Sequence, residues 1–174
     1  MRTMMISLAI LLTAFLTPVA WAEPVPHLVL SSLKHQPFVL PDDVRGVVSV
    51  LFVGFSQKAG SNAKGWTDRV EKDFPSTPGL RSYTVAVLAG VPTLFRSMVV
   101  GFIENGTPAN RRGTFLVTFS DETAWKTLAG FQAPDDPYVL VLGPDSAIAL
   151  KVHGLFDESL YQMITERVRG LLLK

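Results

Sequence analysis

The residue types able to do chemistry are thinly spread in this chain, and the most reactive type is missing. There is no cysteine, so the protein cannot exchange thiols, hold a metal by thiolate or carry an acyl chain on cysteine. His27, His35 and His153 show none of the His-x-x-x-His or carboxylate spacing of a metal site. The acidic pairs Asp42-Asp43, Glu71 with Asp73, and Asp135-Asp136 lack the repeated ligands of a calcium loop. Paired carboxylates do general acid–base work only with a substrate held between them, and solvated turns explain these pairs more simply. No Gly-x-Ser-x-Gly elbow, Walker A or Gly-x-Gly-x-x-Gly stretch occurs. No cofactor is therefore expected. What remains is amide, ammonium and backbone chemistry. Gln57 carries donors and an acceptor, Lys58 stands beside it, and Asp136 and Pro137 close the proline-flanked acidic stretch Ala133–Pro137.

The elements that must position these residues read clearly. Val47–Phe55 is almost all Val, Leu and Phe without polar alternation, as in a central strand buried on both faces. A helix over Asn62–Asp73 follows, with Ala63, Trp66, Val70 and Phe74 on one face and Ser61 or Asn62 as its cap. Leu80–Leu88 is a second strand. Val91–Phe102 is a helix whose residues Leu94, Phe95, Met98, Val99 and Phe102 are expected to pack on the sheet, and Asn105–Pro108 turns the chain. Thr114–Phe119 is a third strand. Asp121 caps a short helix that buries Trp125 and Leu128 and stops at Gly130. Tyr138–Leu142 and Ala147–His153 form a hairpin across Gly143–Ser146. Asp157 caps the last helix, with a stripe of Leu160, Met163, Ile164, Val168, Leu171 and Leu172. Before all of these, Leu28–Leu30 reads as a small edge strand and Phe38–Arg45 as turn chemistry. Helix-linked strands imply parallel pairing by right-handed crossovers, and the hairpin adds an antiparallel edge.

Arg2, the apolar run Met4–Leu16, the breaker Pro18 and the small residues of Ala20-Trp21-Ala22 have the form of a secretory signal cut before Glu23. An uncleaved N-terminal anchor is the alternative. The run is too short to span a bilayer comfortably. Residues 23–174 then form a single domain, exported to a periplasm or secreted. The whole chain has 16 basic and 15 acidic residues, and removing the signal takes away only Arg2. A nearly neutral mature chain gives nucleic-acid binding little electrostatic support. Membrane association is expected only through an uncleaved signal or a membrane client.

The element order, with its terminal hairpin and helix, resembles the thioredoxin-like fold. Leu51–Ser56 is similar to the strand end that precedes that family's redox motif, with Gln57 and Gly60 at the two cysteine positions of Cys-x-x-Cys. Pro137, just before Tyr138-Val139-Leu140, resembles the family's cis-proline, which faces the motif. The resemblance implies an α/β three-layer sandwich with a mixed central sheet. Phe55-Ser56-Gln57 followed by Trp66, the Tyr138–Leu142 strand and the helix after Phe156 further resemble the mitochondrial ATP synthase assembly-factor family, which has this fold without an obligatory cysteine pair. That resemblance implies a role in maturing a membrane subunit.

The expected contact surface is the turn Phe55–Gly60 facing the Ala133–Pro137 loop, with Phe55, Gln57, Lys58, Asp136 and Pro137 meeting a protein partner. A cis Pro137 would expose the Asp136 carbonyl beside Gln57 as a peptide-binding edge. The rival reading is an enzyme or small-ligand binder that joins Gln57 with Asp135 or Asp136 in the same cleft without thiols.

Overall fold

The apolar run in the middle of the chain is the buried axis of the molecule. It forms β3 (Val48–Gly54), in which residues 48–53 are at most 2% exposed. The structure, a computed structural model, describes residues 24–173, so the signal segment Met1–Ala22 lies outside the described residues. Around β3 the chain adds β1 (Leu28–Ser32), β2 (Pro37–Leu40), α1 (Gln57–Asn62), α2 (Lys64–Asp73), β4 (Leu80–Val87), α3 (Arg96–Gly106), β5 (Phe115–Thr118), α4 (Glu122–Ala129), β6 (Tyr138–Leu142), β7 (Ile148–His153) and α5 (Glu158–Leu172).

One mixed sheet runs in the order β2-β1-β5-β4-β3-β6-β7. The helix-linked strands β3, β4 and β5 are parallel, while β6, β7 and the N-terminal hairpin pair antiparallel. Both faces of β3 are covered, which is why its sequence does not alternate. On one face Trp125 and Leu128 of α4 pack with Leu51, Val53, Val85, Leu116 and Leu140. On the other, Trp66 and Val70 of α2 and Tyr161, Ile164 and Val168 of α5 pack with Val50, Phe52, Val139 and Val141. Each fully buried side chain of this kind contributes about 1.5–3 kcal/mol by leaving water. A polar network ties α2 to α5. The Tyr161 hydroxyl donates to Asp73 Oδ2 at 2.9 Å, and Arg69 Nε donates to the same oxygen at 2.9 Å. The Arg69 guanidinium first, and the Tyr161 hydroxyl second, hold the Asp73 carboxyl below the usual range.

The expected α/β sandwich with its terminal hairpin and helix is the observed one, with several corrections. Leu28–Leu30 is not an edge: β1 lies between β2 and β5, and the edge is β2. Pro37, which has no N–H to donate, suits that outer place. The helix expected over Asn62–Asp73 begins earlier and is divided at Ala63 into α1 and α2. Its cap is Ser56, not Ser61 or Asn62. Asp121 occupies the N-cap position of α4 with φ at 57°, and its side chain accepts from Ser120 Oγ instead of capping. In α5 Met163 is exposed, and Tyr161 and Thr165 take the buried face with Ile164 and Val168.

The largest correction concerns α3. It extends through Gly106, where a turn was expected, and no residue of it is buried. Leu94, Phe95, Met98 and Phe102 are exposed, not packed on the sheet. Strand alternation gives the physical reason. β4 spends Tyr83, Val85 and Val87 on the α4 side, so the face toward the β4–α3–β5 crossover carries Ser82, Thr84 and Ala86. Those small and polar side chains offer α3 little apolar area to cover.

Candidate functional site

Two segments far apart in sequence meet at the carboxyl end of β3. The first leaves the strand through Gly54, Phe55 and Ser56 and enters α1. Ser56 is extended, and its Oγ accepts from the Ala59 N–H at 3.0 Å, satisfying one of the orphan donors of the first turn.

The second segment is the acidic loop before β6. Tyr138, the first residue of β6, is buried and holds it from beneath. Its hydroxyl accepts from the Gln132 and Ala133 N–H groups at 2.8 and 2.9 Å and donates to the Ala133 carbonyl at 2.8 Å. Phe55 meets Phe131 edge-on at 5.0 Å and Tyr138 at 5.6 Å. These three rings form a common floor for both loops, in geometries that favour aromatic pairs.

Asp135 joins the two segments. Ser56 Oγ donates to its Oδ1 at 2.9 Å, Lys58 Nζ lies 3.1 Å from its Oδ2, and Asn62 Nδ2 donates to its carbonyl at 3.0 Å. The Ser56 hydroxyl therefore closes the helix cap with its lone pair and the loop junction with its proton. Lys58 first, and Ser56 second, hold the Asp135 carboxyl below the usual carboxylate range. A lowered folded-state pKa means that the junction is fully formed above the unfolded value of about 3.9 and is lost as pH falls through the folded value.

Asp136 belongs to a different contact. Its Oδ2 lies 2.9 Å from His153 Nδ1, and the imidazole stacks on Tyr138 at 5.6 Å. The Pro137 carbonyl accepts from the Gly154 N–H at 3.1 Å, and the Trp66 indole donates to the Gly154 carbonyl at 3.0 Å. The end of β7 and helix α2 are thus fixed to the same corner.

The two expected surfaces do meet, but the five residues singled out in them play unequal parts. Phe55 is half-buried in the aromatic floor, and Pro137 is buried. Lys58 is exposed and paired with Asp135; Asp136 is half-buried and paired with His153. Gln57 is exposed as the first residue of α1, and its amide takes no part in joining the loops. The sequence leaves the isomer of Pro137 open; among the described residues the cis peptide bond is Leu40–Pro41, so Asp136–Pro137 is trans. The backbone edge that a cis bond would have offered there drops out. The roles of Ser56, Asn62 and Tyr138 in holding the loops were not foreseen. Ser56 and Asp135 lie 79 residues apart, and no local spacing rule joins them.

Chemically, the corner is rigid and internally paired. Each carboxylate of Asp135-Asp136 already has a cationic or imidazole partner, so neither stands free as a base beside Gln57. Two open hollows among the described residues lie elsewhere, one along Phe74–Leu80 and one beside Val29, Arg96 and Phe119. No group of three His, Asp or Glu among the described residues could hold a metal ion.

No protein-family model matches the chain, and no curated protein is similar to it in sequence. Solved structures are similar in fold. A protein assigned as the thiol:disulfide interchange protein DsbE from Chlorobium tepidum superposes with a TM-score of 0.60 at 16% identity, over 87% of this chain and 96% of that one. The exposed lipoprotein thioredoxin of Streptococcus pneumoniae gives 0.57 at 13% identity, over 81% and 99%. BsSco, of the Sco family of cytochrome c oxidase assembly proteins, gives 0.59 at 11% identity, over 87% and 94%. These likenesses carry the fold and leave the ATP synthase assembly-factor resemblance without support. The chain has a thioredoxin-like fold and no cysteine.

Proposed function

We propose that this protein is an exported, non-redox thioredoxin-like domain that binds another polypeptide and assists the assembly of an envelope or membrane protein. Its contact surface is the turn Phe55–Gly60 together with the Ala133–Pro137 loop. The observation that carries this reading is the Asp135 junction, which fixes Gln57 and Lys58 on a rigid, exposed turn where the fold's oxidoreductases carry thiols. A turn held in place by Asp135, with an exposed amide beside an ammonium, loses little backbone entropy when a partner arrives. It offers hydrogen bonds and charge instead of reactivity, which suits a polar protein surface better than a substrate to be transformed. With Asp136–Pro137 trans, recognition rests on these side chains and not on a backbone edge.

Export rests on the signal-like Met1–Ala22. The exposed lipoprotein among the fold neighbours is in keeping with it, and no helix among the described residues is long and apolar enough to cross a membrane. The assembly role is an analogy with BsSco at the level of fold.

The test is photo-crosslinking in cells from position 57, with Gln162 on exposed α5 as the control position. A discrete adduct from 57, absent from 162 and lost in Lys58→Glu, is the expected result. Equal, diffuse labelling from both positions would count against the reading. Cell fractionation tests export separately: the processed protein should leave with the envelope fraction.

A further inference from the structure

The face of α3 and the turn before it leave a cluster of large apolar side chains in water. Leu94 is 82% exposed, Met98 58% and Phe102 78%, with Phe95 at 47% beside them and Val29 of β1 at 51%. Met98 and Phe102 stand one turn apart on the same side of α3, and Leu94, in the 3-10 turn Thr93–Phe95 just before the helix, precedes Met98 by another four residues. Ser97, Gly101 and Asn105 flank them, and a Cβ at Gly101 would meet nothing within 4 Å. A shallow groove of about 330 Å³, lined in part by Val29, Val117, Phe119 and Arg96, adjoins the N-terminal end of the same helix.

We propose that this face is covered by the same face of a second copy of the chain, with the two α3 helices antiparallel about a twofold axis at Met98. Three observations choose this occupant. First, the stripe is symmetric about Met98: antiparallel pairing sets Leu94 of one copy against Phe102 of the other, and Met98 against its own mate. An isologous interface demands such self-complementarity. Second, residues 94, 97, 98, 101, 102 and 105 include no ionisable side chain, so self-pairing brings no like charges together. The nearby cation is already engaged: Arg96 lies over the Phe119 ring at 4.7 Å and donates to the Val91 carbonyl. Glu104 faces His35 at 3.3 Å. A helix that lies on a bilayer carries Lys and Arg along its polar face, and α3 carries only Arg96. Third, the area fits. The four side chains at 94, 95, 98 and 102 leave on the order of 500 Å² of apolar surface, toward the upper end of the largest patch on a monomer. Two copies face to face remove on the order of 1,000 Å² from these side chains alone, and a small-residue rim brings the total to the ~1,200 Å² of a stable interface.

The test is sedimentation of the protein, as its host processes it, from micromolar to millimolar concentration. A reversible monomer–dimer equilibrium is expected. Phe102→Glu should weaken association roughly 30-fold or more, the scale of an interface hot spot. The double variant Leu94→Lys with Phe102→Glu should regain much of that loss, because antiparallel pairing sets lysine against glutamate twice. All these side chains are exposed, so unchanged circular dichroism separates lost association from lost folding. A wild type that stays monomeric throughout overturns the proposal, including when it binds neutral phosphatidylcholine vesicles or a client instead. A dimer indifferent to both variants overturns it equally.

Discussion

The loop junction and the α3 face solve opposite problems. At the junction, polar groups from two distant segments are matched to one another: Ser56, Lys58 and Asn62 converge on Asp135, His153 pairs with Asp136, and the Tyr138 hydroxyl serves three backbone groups. At α3 and the turn before it, Leu94, Phe95, Met98 and Phe102 stay exposed among the described residues. The first region is complete and presents a fixed polar surface. The second is incomplete and has burial energy still to gain. On the reading proposed above, the two regions divide the work: the corner would give specificity through placed hydrogen-bonding groups, and the helix face would give area.

This contrast can be broken most forcefully at Tyr138. Tyr138→Phe keeps the buried ring but leaves two N–H groups and a carbonyl of the 132–133 loop unpaired, so unfolding by denaturant should show a loss of about 2–4 kcal/mol. A loss below that of an ordinary surface change would mean that the hydroxyl is not the clamp.

Asp135→Ala is the next in size. It removes the partner of Ser56 and Lys58 while the backbone bond to Asn62 stays, so global stability should fall by less than in Tyr138→Phe. Amide exchange over residues 57–62 should quicken. The stability gap between wild type and this variant should be complete at pH 7 and close below about pH 4, because the carboxyl is held below its usual range when folded. A gap that instead widens in acid would reverse the assigned sign.

The smallest effect is expected on the other side of the comparison. Phe102→Ser should leave monomer stability within about 0.5 kcal/mol, as for surface positions without a local role. A large loss in a purely monomeric sample would show that α3 packs on its own sheet after all.

Much of the architecture was legible because it is written in local periodicity. The unbroken apolar run of β3, the β6–β7 hairpin signals and the Asp157 cap of α5 each correspond to the observed element. The N-terminal hairpin was hidden because Pro37–Leu40 is short and begins with a proline. For α3 the periodicity was real, but it says only that a helix has an apolar side. What lies opposite depends on Ser82, Thr84 and Ala86 of another element. The site divides in the same way. The turn and the loop were found because strand ends and proline punctuate them. The residue that joins them was not, because an Asp-Asp-Pro loop looks solvated until Ser56 is brought within 2.9 Å of it. Gln57 drew attention by its position in a motif, yet the contacts belong to its neighbours.

On the readings proposed above, the cysteine-free corner meets a partner protein while α3 meets a second copy. Photo-crosslinking in cells from Gln57, Met98 and Gln162, resolved by mass, tests it most directly. A heterologous adduct from 57, a homodimer from 98 and neither from 162 are expected. Homodimer from 57, or no adduct there above the level at 162, would contradict it.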